Sequence, residues 1–86
     1  MEKISLLRRK IDRIDDHILT FLKKRVEICK SIGKIKRESG MPIRDLEREK
    51  ERYSYITTKA GELELDPQKI KAIYTEIISA CIAVQK

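Results

Sequence analysis

The chain lacks several features that large, membrane-bound or secreted proteins have. Its 86 residues include no Trp, three Tyr and one Phe, which is little aromatic volume for the core of an isolated monomer. No apolar run approaches the roughly 20 residues that a membrane-spanning helix needs. The start, Met1-Glu2-Lys3, leads straight into an amphipathic repeat, so we expect no signal peptide and no membrane partner. The length predicts one domain over residues 1–86.

Metal ligands and nucleophiles are also scarce. The chain has a single histidine, and its two cysteines, Cys29 and Cys81, do not have metal-ligand spacing. No catalytic triad, Gly-rich phosphate loop or strand pattern is present. We therefore expect no metal, and we expect reduced thiols in a cytoplasmic protein. The absence of Asn, beside abundant Lys, Glu and Ile, is typical of a heat-adapted source.

What the sequence does contain is a long apolar repeat between Ile4 and Lys36. Large apolar residues recur at spacings of three and four, which predicts one helix packed along its length against other helices. The two columns are Ile4, Ile11, Ile18, Arg25 and Ile32, and Leu7, Ile14, Phe21, Ile28 and Ile35. Such a helix is about 50 Å long, longer than a compact domain of this size. The rest of the chain, or a second copy, must lie along it, so we expect a homodimer.

Two further helices follow from the end signals. Gly40 and Pro42 predict that the first helix ends near Arg37 or Glu38. The second should begin between Ile43 and Asp45, and a turn is expected from Lys59 to Leu65. The predicted buried stripe of the second helix is Leu46, Glu49, Tyr53, Ile56, Ala60 and Leu63.

The third helix has the clearest start signal in the chain. Asp66 suits the N-cap, and Pro67 suits the first helical position. Its predicted buried stripe is Ile70, Ile73, Tyr74, Ile77, Cys81 and Val84, with Gln85 at the edge. The fold class is therefore all-α, with three helices per chain.

Each predicted stripe is interrupted or bordered by one polar residue: Arg25, Glu49 and Gln85. A guanidinium remains charged at any relevant pH, so a buried Arg25 needs an anion. One interpretation is a buried Arg25–Glu49 ion pair that fixes helix register, with Gln85 exposed at a frayed end. The other is a site for an external anion, which the net charge of +7 over residues 1–37 also favours.

Two more cations are related to Arg25 by helical geometry. Lys36 is eleven residues further on and returns to nearly the same face. Arg8 is 17 residues earlier, about 25 Å along the axis, too far for one small ligand to bridge on a single helix. If two copies pair antiparallel, Arg8 of one lies level with the Arg25–Lys36 segment of the other. We therefore expect a site shared between chains.

The ordered motifs resemble those of the all-helical (AroQ-class) chorismate mutases over essentially the whole chain. The motifs are Leu7-Arg8-x-Lys10-Ile11-x-x-Ile14-Asp15, Arg25, Gly33-Lys34-x-Lys36, Pro42-x-Arg44-Asp45-x-x-Arg48-Glu49 and a last helix that carries Gln85. The resemblance implies an entwined homodimer of three-helix chains. It also implies an isomerase that converts chorismate to prephenate in aromatic amino-acid biosynthesis, by a Claisen rearrangement that needs no cofactor and no metal.

The resemblance also implies residue roles. Arg25 and Lys36 bind carboxylate from one chain and Arg8 from the other, while Lys36 and Gln85 donate to the ether oxygen. Glu49 accepts from the ring hydroxyl, together with the backbone around Asp45, and Arg48 supports the site. Cys81 stands where the family often has a small hydroxyl residue near the substrate.

Two rival functions share some of these features. An isochorismate pyruvate lyase on the same fold uses the same buried cations, although the Asp45-x-x-Arg48-Glu49 run favours the mutase. A basic helical dimer that binds nucleic acid would instead present exposed cations on one face, without an enclosed pocket. Because two of the cations lie on or beside the apolar seam, we expect no nucleic-acid partner.

Overall fold

The computed structural model describes all 86 residues, and they form three α-helices without any strand. The helices are α1 (Glu2–Ser39), α2 (Leu46–Glu62) and α3 (Pro67–Gln85). The predicted all-α class with three helices is confirmed. None of the three helices combines the length and the apolar character that crossing a membrane would require.

The helix ends follow from local chemistry. Gly40 stops α1 in the left-handed conformation with a φ of 69°, as predicted. Asp45 caps α2 by accepting from the Arg48 backbone N–H at 3.0 Å, and Asp66 caps α3 in the same way ahead of Pro67.

The end of α2 lies beyond its predicted place. The turn expected from Lys59 begins only after Glu62, because Gly61 keeps helical geometry and the left-handed residue is Glu64, with a φ of 61°. A glycine is permitted, but not obliged, to leave the helical region.

The chain is extended rather than compact. It measures 57 × 24 × 15 Å, and its radius of gyration is 16.3 Å, against about 12 Å for a compact domain of this length. The third helix, α3, packs against both α1 and α2, which do not pack against each other. All of residues 1–21 are exposed, so the first half of α1 has no covering element within the chain.

The face of α1 that packs on α3 is not the predicted seam. The contact uses a neighbouring stripe, in which Leu22 and Val26 are half-buried and Cys29 and Gly33 are buried. The two apolar columns remain exposed, from 39% at Ile32 to 65% at Phe21. The smaller residues at positions 29 and 33 permit a closer approach of α3 than the large side chains of the columns would.

The small core also corrects two of the predicted stripes in part. Ile56 and Ala60 of α2 are buried as predicted, but Leu46 and Leu63 are more than half exposed. In α3 the buried residues are Ile78 and Gln85, whereas Ile73 is exposed. Periodicity identified the helices correctly, but each stripe is wider than the strip that one neighbouring helix can cover.

The expectation of reduced thiols is wrong. Cys29 of α1 and Cys81 of α3 form a disulfide, with their Cα atoms 5.4 Å apart, and no cysteine is free. The reason is the packing of α3 on the Cys29 stripe, which brings the two residues within the Cα separation that a disulfide requires. Sequence spacing alone could not reveal this pairing.

Reducing the Cys29–Cys81 disulfide is expected to lower the free energy of unfolding by about 4 kcal/mol, because the bond closes a long loop in the unfolded chain. The two cysteines are separated by 52 positions. Urea unfolding with and without reductant, at one protein concentration, measures the difference. The double variant Cys29→Ala/Cys81→Ala is the control and should not respond to reductant. Free thiols in the denatured, unreduced chain would contradict the pairing.

Candidate active site

A cavity of about 410 Å³ lies where α1, the α1–α2 linker, α2 and α3 meet. Seven of the eight site residues predicted from the sequence line it: Arg25, Lys36, Asp45, Arg48, Glu49, Cys81 and Gln85. Ile78 and Ile82 of α3 supply part of the apolar wall. Residues far apart in sequence therefore converge on one pocket, of a size typical of small-molecule sites.

None of the four cations that line this cavity, Arg25, Lys36, Arg48 and Arg52, has a carboxylate partner. The ion pairs of the chain are Arg44–Glu49 and Lys59–Glu62, so none involves a cation of the cavity. Arg25 and Lys36 are half-buried. The interpretation of Arg25 and Glu49 as a structural ion pair is wrong, because Glu49 pairs with a different arginine. Half-buried cations without a counter-charge favour an anion from outside the chain.

The Glu49 carboxylate is held by Arg44, which lies just before α2. The Arg44 guanidinium donates from Nη2 to Oε1 at 2.6 Å and from Nε to Oε2 at 3.2 Å. These hydrogen bonds, with the negative charge of Glu49, raise the pKa of Arg44 above its usual value. Each carboxylate oxygen has lone pairs to spare, so Glu49 can still accept a further hydrogen bond within the cavity.

Lys36 and Gln85 form a hydrogen-bonded pair across α1 and α3. The Lys36 ammonium donates to Gln85 Oε1 at 3.0 Å and also to the backbone carbonyl of Ile43. Gln85 Nε2 donates to the sulfur of Cys81 at 3.3 Å. Since an ammonium has three donors and an amide nitrogen two, each keeps at least one N–H for a ligand.

Gln85 is buried, with only 5% of its surface exposed, which contradicts the alternative of an exposed residue at a frayed end. Its close neighbour is Gly33, where an added Cβ would lie 2.6 Å from the Gln85 Cα. The backbones of α1 and α3 therefore approach here to a distance that only glycine permits. A glycine inside a helix usually marks a close approach by another backbone or by a ligand, and Gly33 is such a position.

Cys81 lines the cavity in a different chemical form from the one expected. Its sulfur is bonded to Cys29, so it carries no proton to donate and serves only as an acceptor, here for Gln85. The thiol expected in place of a hydroxyl is absent from this position.

Arg8 is exposed and does not line this cavity. Because α1 is continuous from Glu2 to Ser39, Arg8 remains about 25 Å from Arg25 along the helix axis. Within one chain, the structure does not bring Arg8 to the other site residues.

Sequence reasoning missed three contributors to the site. Arg52 lines the cavity, and its position four residues after Arg48 on the same helical face could have indicated this. Arg44 orients Glu49, a pairing that no sequence pattern indicates. The Ile43 carbonyl accepts from Lys36, which periodicity could not show because Ile43 lies between helices. No group of three or more His, Cys, Asp or Glu residues is placed to hold a metal ion.

The fold and the cavity define an all-helical domain with unpaired cations and a buried amide around one pocket. Residues 7–86 match a family described as chorismate mutase type II. The chain belongs to this family.

Relatives from several organisms agree with the family match. The chain is 42% identical to a bifunctional chorismate mutase/prephenate dehydratase of Aquifex aeolicus, over all of this chain and 25% of that protein. It is 36% identical to a chorismate mutase of Methanocaldococcus jannaschii, over all of this chain and 87% of that one. The chain thus spans a quarter of the bifunctional relative but most of the single-function one.

A solved structure supports the fold. A conserved hypothetical protein from Pyrococcus furiosus superposes with a TM-score of 0.76 at 36% sequence identity, covering all of this chain and 99% of that chain. The fold is therefore shared over nearly the full length of both chains.

Proposed function

We propose that this chain is a chorismate mutase, an isomerase that converts chorismate to prephenate in the biosynthesis of Phe and Tyr. The observation that carries the proposal is the cavity with four cations that lack carboxylate partners, beside a buried amide. Chorismate is a small dicarboxylate, so it supplies the negative charge that Arg25, Lys36 and Arg48 do not find within the chain.

The reaction requires no group transfer to the protein. In the Claisen rearrangement the ether carbon–oxygen bond breaks while a carbon–carbon bond forms, and all atoms stay within one molecule. Negative charge builds on the ether oxygen as its bond to carbon lengthens. The protein therefore acts by holding the reactive conformer and by stabilising that charge.

Each cavity residue has a role in this scheme. Arg25 and Lys36 bind carboxylate, Arg48 supports the site from α2, and Glu49 accepts from the ring hydroxyl together with the backbone at Asp45. Arg44 already fixes the Glu49 carboxylate through two hydrogen bonds, which reduces the rotamer freedom lost when substrate binds.

Lys36 and Gln85 are the proposed donors to the ether oxygen. Both side chains are already tied together by the 3.0 Å hydrogen bond. Donors placed in advance at a developing charge stabilise the transition state more than the ground state.

Replacing Gln85 by Ala is expected to lower kcat about a hundredfold, with a smaller change in KM, since one preorganised donor to a developing charge is lost. Steady-state rates of chorismate consumption measure this. Gln85→Glu is the matched variant: it should recover activity at low pH, where a protonated carboxyl can donate, and lose it as the group ionises. Full activity of Gln85→Ala would remove the proposed role.

The homodimer is part of the proposal, supported by the exposed surface of the single chain. Its accessible area is 7311 Å², whereas a compact monomer of 10.1 kDa exposes about 5,300 Å². The excess of about 2,000 Å² per chain is within the range for obligate homodimers. The apolar columns of α1 supply the exposed hydrophobic surface that such an interface buries. A stable, fully active monomer in sedimentation would overturn this.

The direct test is incubation of the purified protein with chorismate and, separately, with isochorismate. Loss of chorismate absorbance with formation of prephenate supports the proposal. Release of pyruvate from isochorismate, without reaction of chorismate, would favour the lyase. Salt-sensitive DNA binding with neither reaction would favour a nucleic-acid partner.

We also propose that the protein works in the cytoplasm. The disulfide is compatible with this compartment in heat-adapted organisms, whose intracellular proteins are often disulfide-rich, and the lack of Asn favours such a source. Fractionation that recovers the chain outside the cytoplasm would contradict this.

A further inference from the structure

The last residue of α3, Gln85, is held by a residue of α1 that lies outside the cavity. Arg37 donates from Nη1 to the backbone carbonyl of Gln85 at 2.8 Å. Arg37 is exposed and has no carboxylate partner. It is not among the residues that line the cavity, so it has no direct route to the substrate.

The carbonyl that Arg37 contacts needs an external partner. The final carbonyls of a helix have no intrahelical donor, and the C-terminus of the helix carries partial negative charge. No Lys, Arg or His within the last turn of α3 supplies a donor. Arg37 therefore provides, from another helix, a donor that the last turn of α3 does not supply.

Three residues within about one turn of α1 hold Gln85 at three different points. The Gly33 backbone abuts its Cα, since an added Cβ would come within 2.6 Å of that atom. Lys36 binds its side-chain oxygen at 3.0 Å, and Arg37 binds its backbone oxygen. The position of the amide group thus depends on contacts that α1 makes with the backbone of Gln85 as well as with its side chain.

We propose that Arg37 is a positioning residue, which holds the end of α3 so that the Gln85 amide stays in the cavity. The inference rests on the proposed function, in which that amide donates to the ether oxygen. A donor displaced by about 1 Å loses much of its value for a developing charge, and such displacements cost up to about a hundredfold in rate.

The experiment compares three single variants in steady-state kinetics with chorismate. Arg37→Ala should lower kcat about tenfold and leave KM within about twofold, because the carboxylate-binding cations are untouched. Arg37→Lys should recover most of the rate, since the carbonyl accepts a single hydrogen bond that an ammonium can also donate. Lys34→Ala is the matched control, an exposed cation of the same turn with no side-chain hydrogen bond, and should change kcat less than about twofold.

A double variant tests whether the effect passes through Gln85. In the Gln85→Ala background, Arg37→Ala should have no further effect on kcat, because the group it positions is already gone. Hydrogen exchange provides a readout besides activity: amides at the end of α3 should exchange faster in Arg37→Ala than in Lys34→Ala.

The outcomes separate the two claims. The positioning role is overturned if kcat is unchanged in Arg37→Ala. It is also overturned if Arg37→Ala lowers kcat equally with and without the Gln85 side chain. In both cases the proposed function stands as long as Gln85→Ala still impairs catalysis. Full activity of Gln85→Ala instead overturns the proposed role of the amide itself. Slow exchange at the end of α3 in Arg37→Ala would also contradict the inference.

Discussion

Arg25→Ala is expected to lower kcat/KM for chorismate about a thousandfold. A guanidinium that binds a carboxylate in a partly desolvated cavity contributes about 4 kcal/mol when its loss leaves the anion unpaired, and each 1.4 kcal/mol is about a factor of ten. Arg25 is half-buried and has no acidic partner in the chain. Substrate binding therefore breaks no existing ion pair of Arg25, and the free energy of its contact with the substrate is not reduced by such a loss.

The matched control for this prediction is Arg25→Lys. An ammonium keeps the charge but loses the two parallel donors of the guanidinium, so activity should fall between wild type and Arg25→Ala. Circular dichroism and sedimentation should show unchanged helix content and assembly in both variants, because no intrachain hydrogen bond or ion pair is lost. Activity within tenfold of wild type in Arg25→Ala would remove this residue from the site.

Arg8→Ala is expected to have an effect of similar size, about a thousandfold in kcat/KM, if its guanidinium completes the site of the other chain. The structure gives no role to Arg8 within its own chain, where it is exposed and has neither a hydrogen bond nor an ion pair. A surface arginine of this kind normally contributes little when removed. A large loss of activity without loss of stability would therefore indicate a function across the interface.

Arg9→Ala is the matched control for Arg8. The neighbouring arginine is equally exposed on α1 and is rotated by about 100° around the helix axis. Its removal changes the net charge by the same amount but should alter kcat/KM by less than about twofold. Equal losses in Arg8→Ala and Arg9→Ala would point to a general effect of charge on substrate attraction instead of a specific contact.

The helix boundaries were largely predictable because they depend on residues adjacent in sequence. Gly40 and the Asp66-Pro67 pair mark their ends through local backbone chemistry, and the structure places them at those ends. The grouping of Arg25, Lys36, Glu49 and Gln85 came from the resemblance, and the cavity brings the four together.

The sequence-based predictions that were wrong concerned contacts between helices. The periodicity of α1 shows that a face is apolar, but it does not say whether α3 or a second copy covers that face. In the structure α3 packs against the neighbouring stripe of α1 around Cys29 and Gly33, and the apolar columns remain exposed. The disulfide and the burial of Gln85 both follow from this choice of stripe, and for that reason neither could be predicted from the sequence.

The central claim is that each site is completed by a second copy of the chain, and mixing two inactive variants tests it most directly. Arg8→Ala and Arg25→Ala, unfolded and refolded together in equal amounts, form mixed dimers as half of the population. In a mixed dimer, one site has both arginines intact and the other has neither.

The mixture is expected to recover about a quarter of wild-type activity, because half of the dimers carry one intact site out of two. Each variant refolded alone should stay inactive under the same conditions. A mixture that remains as inactive as its two components, although mixed dimers are shown to form, would rule out a site shared between chains.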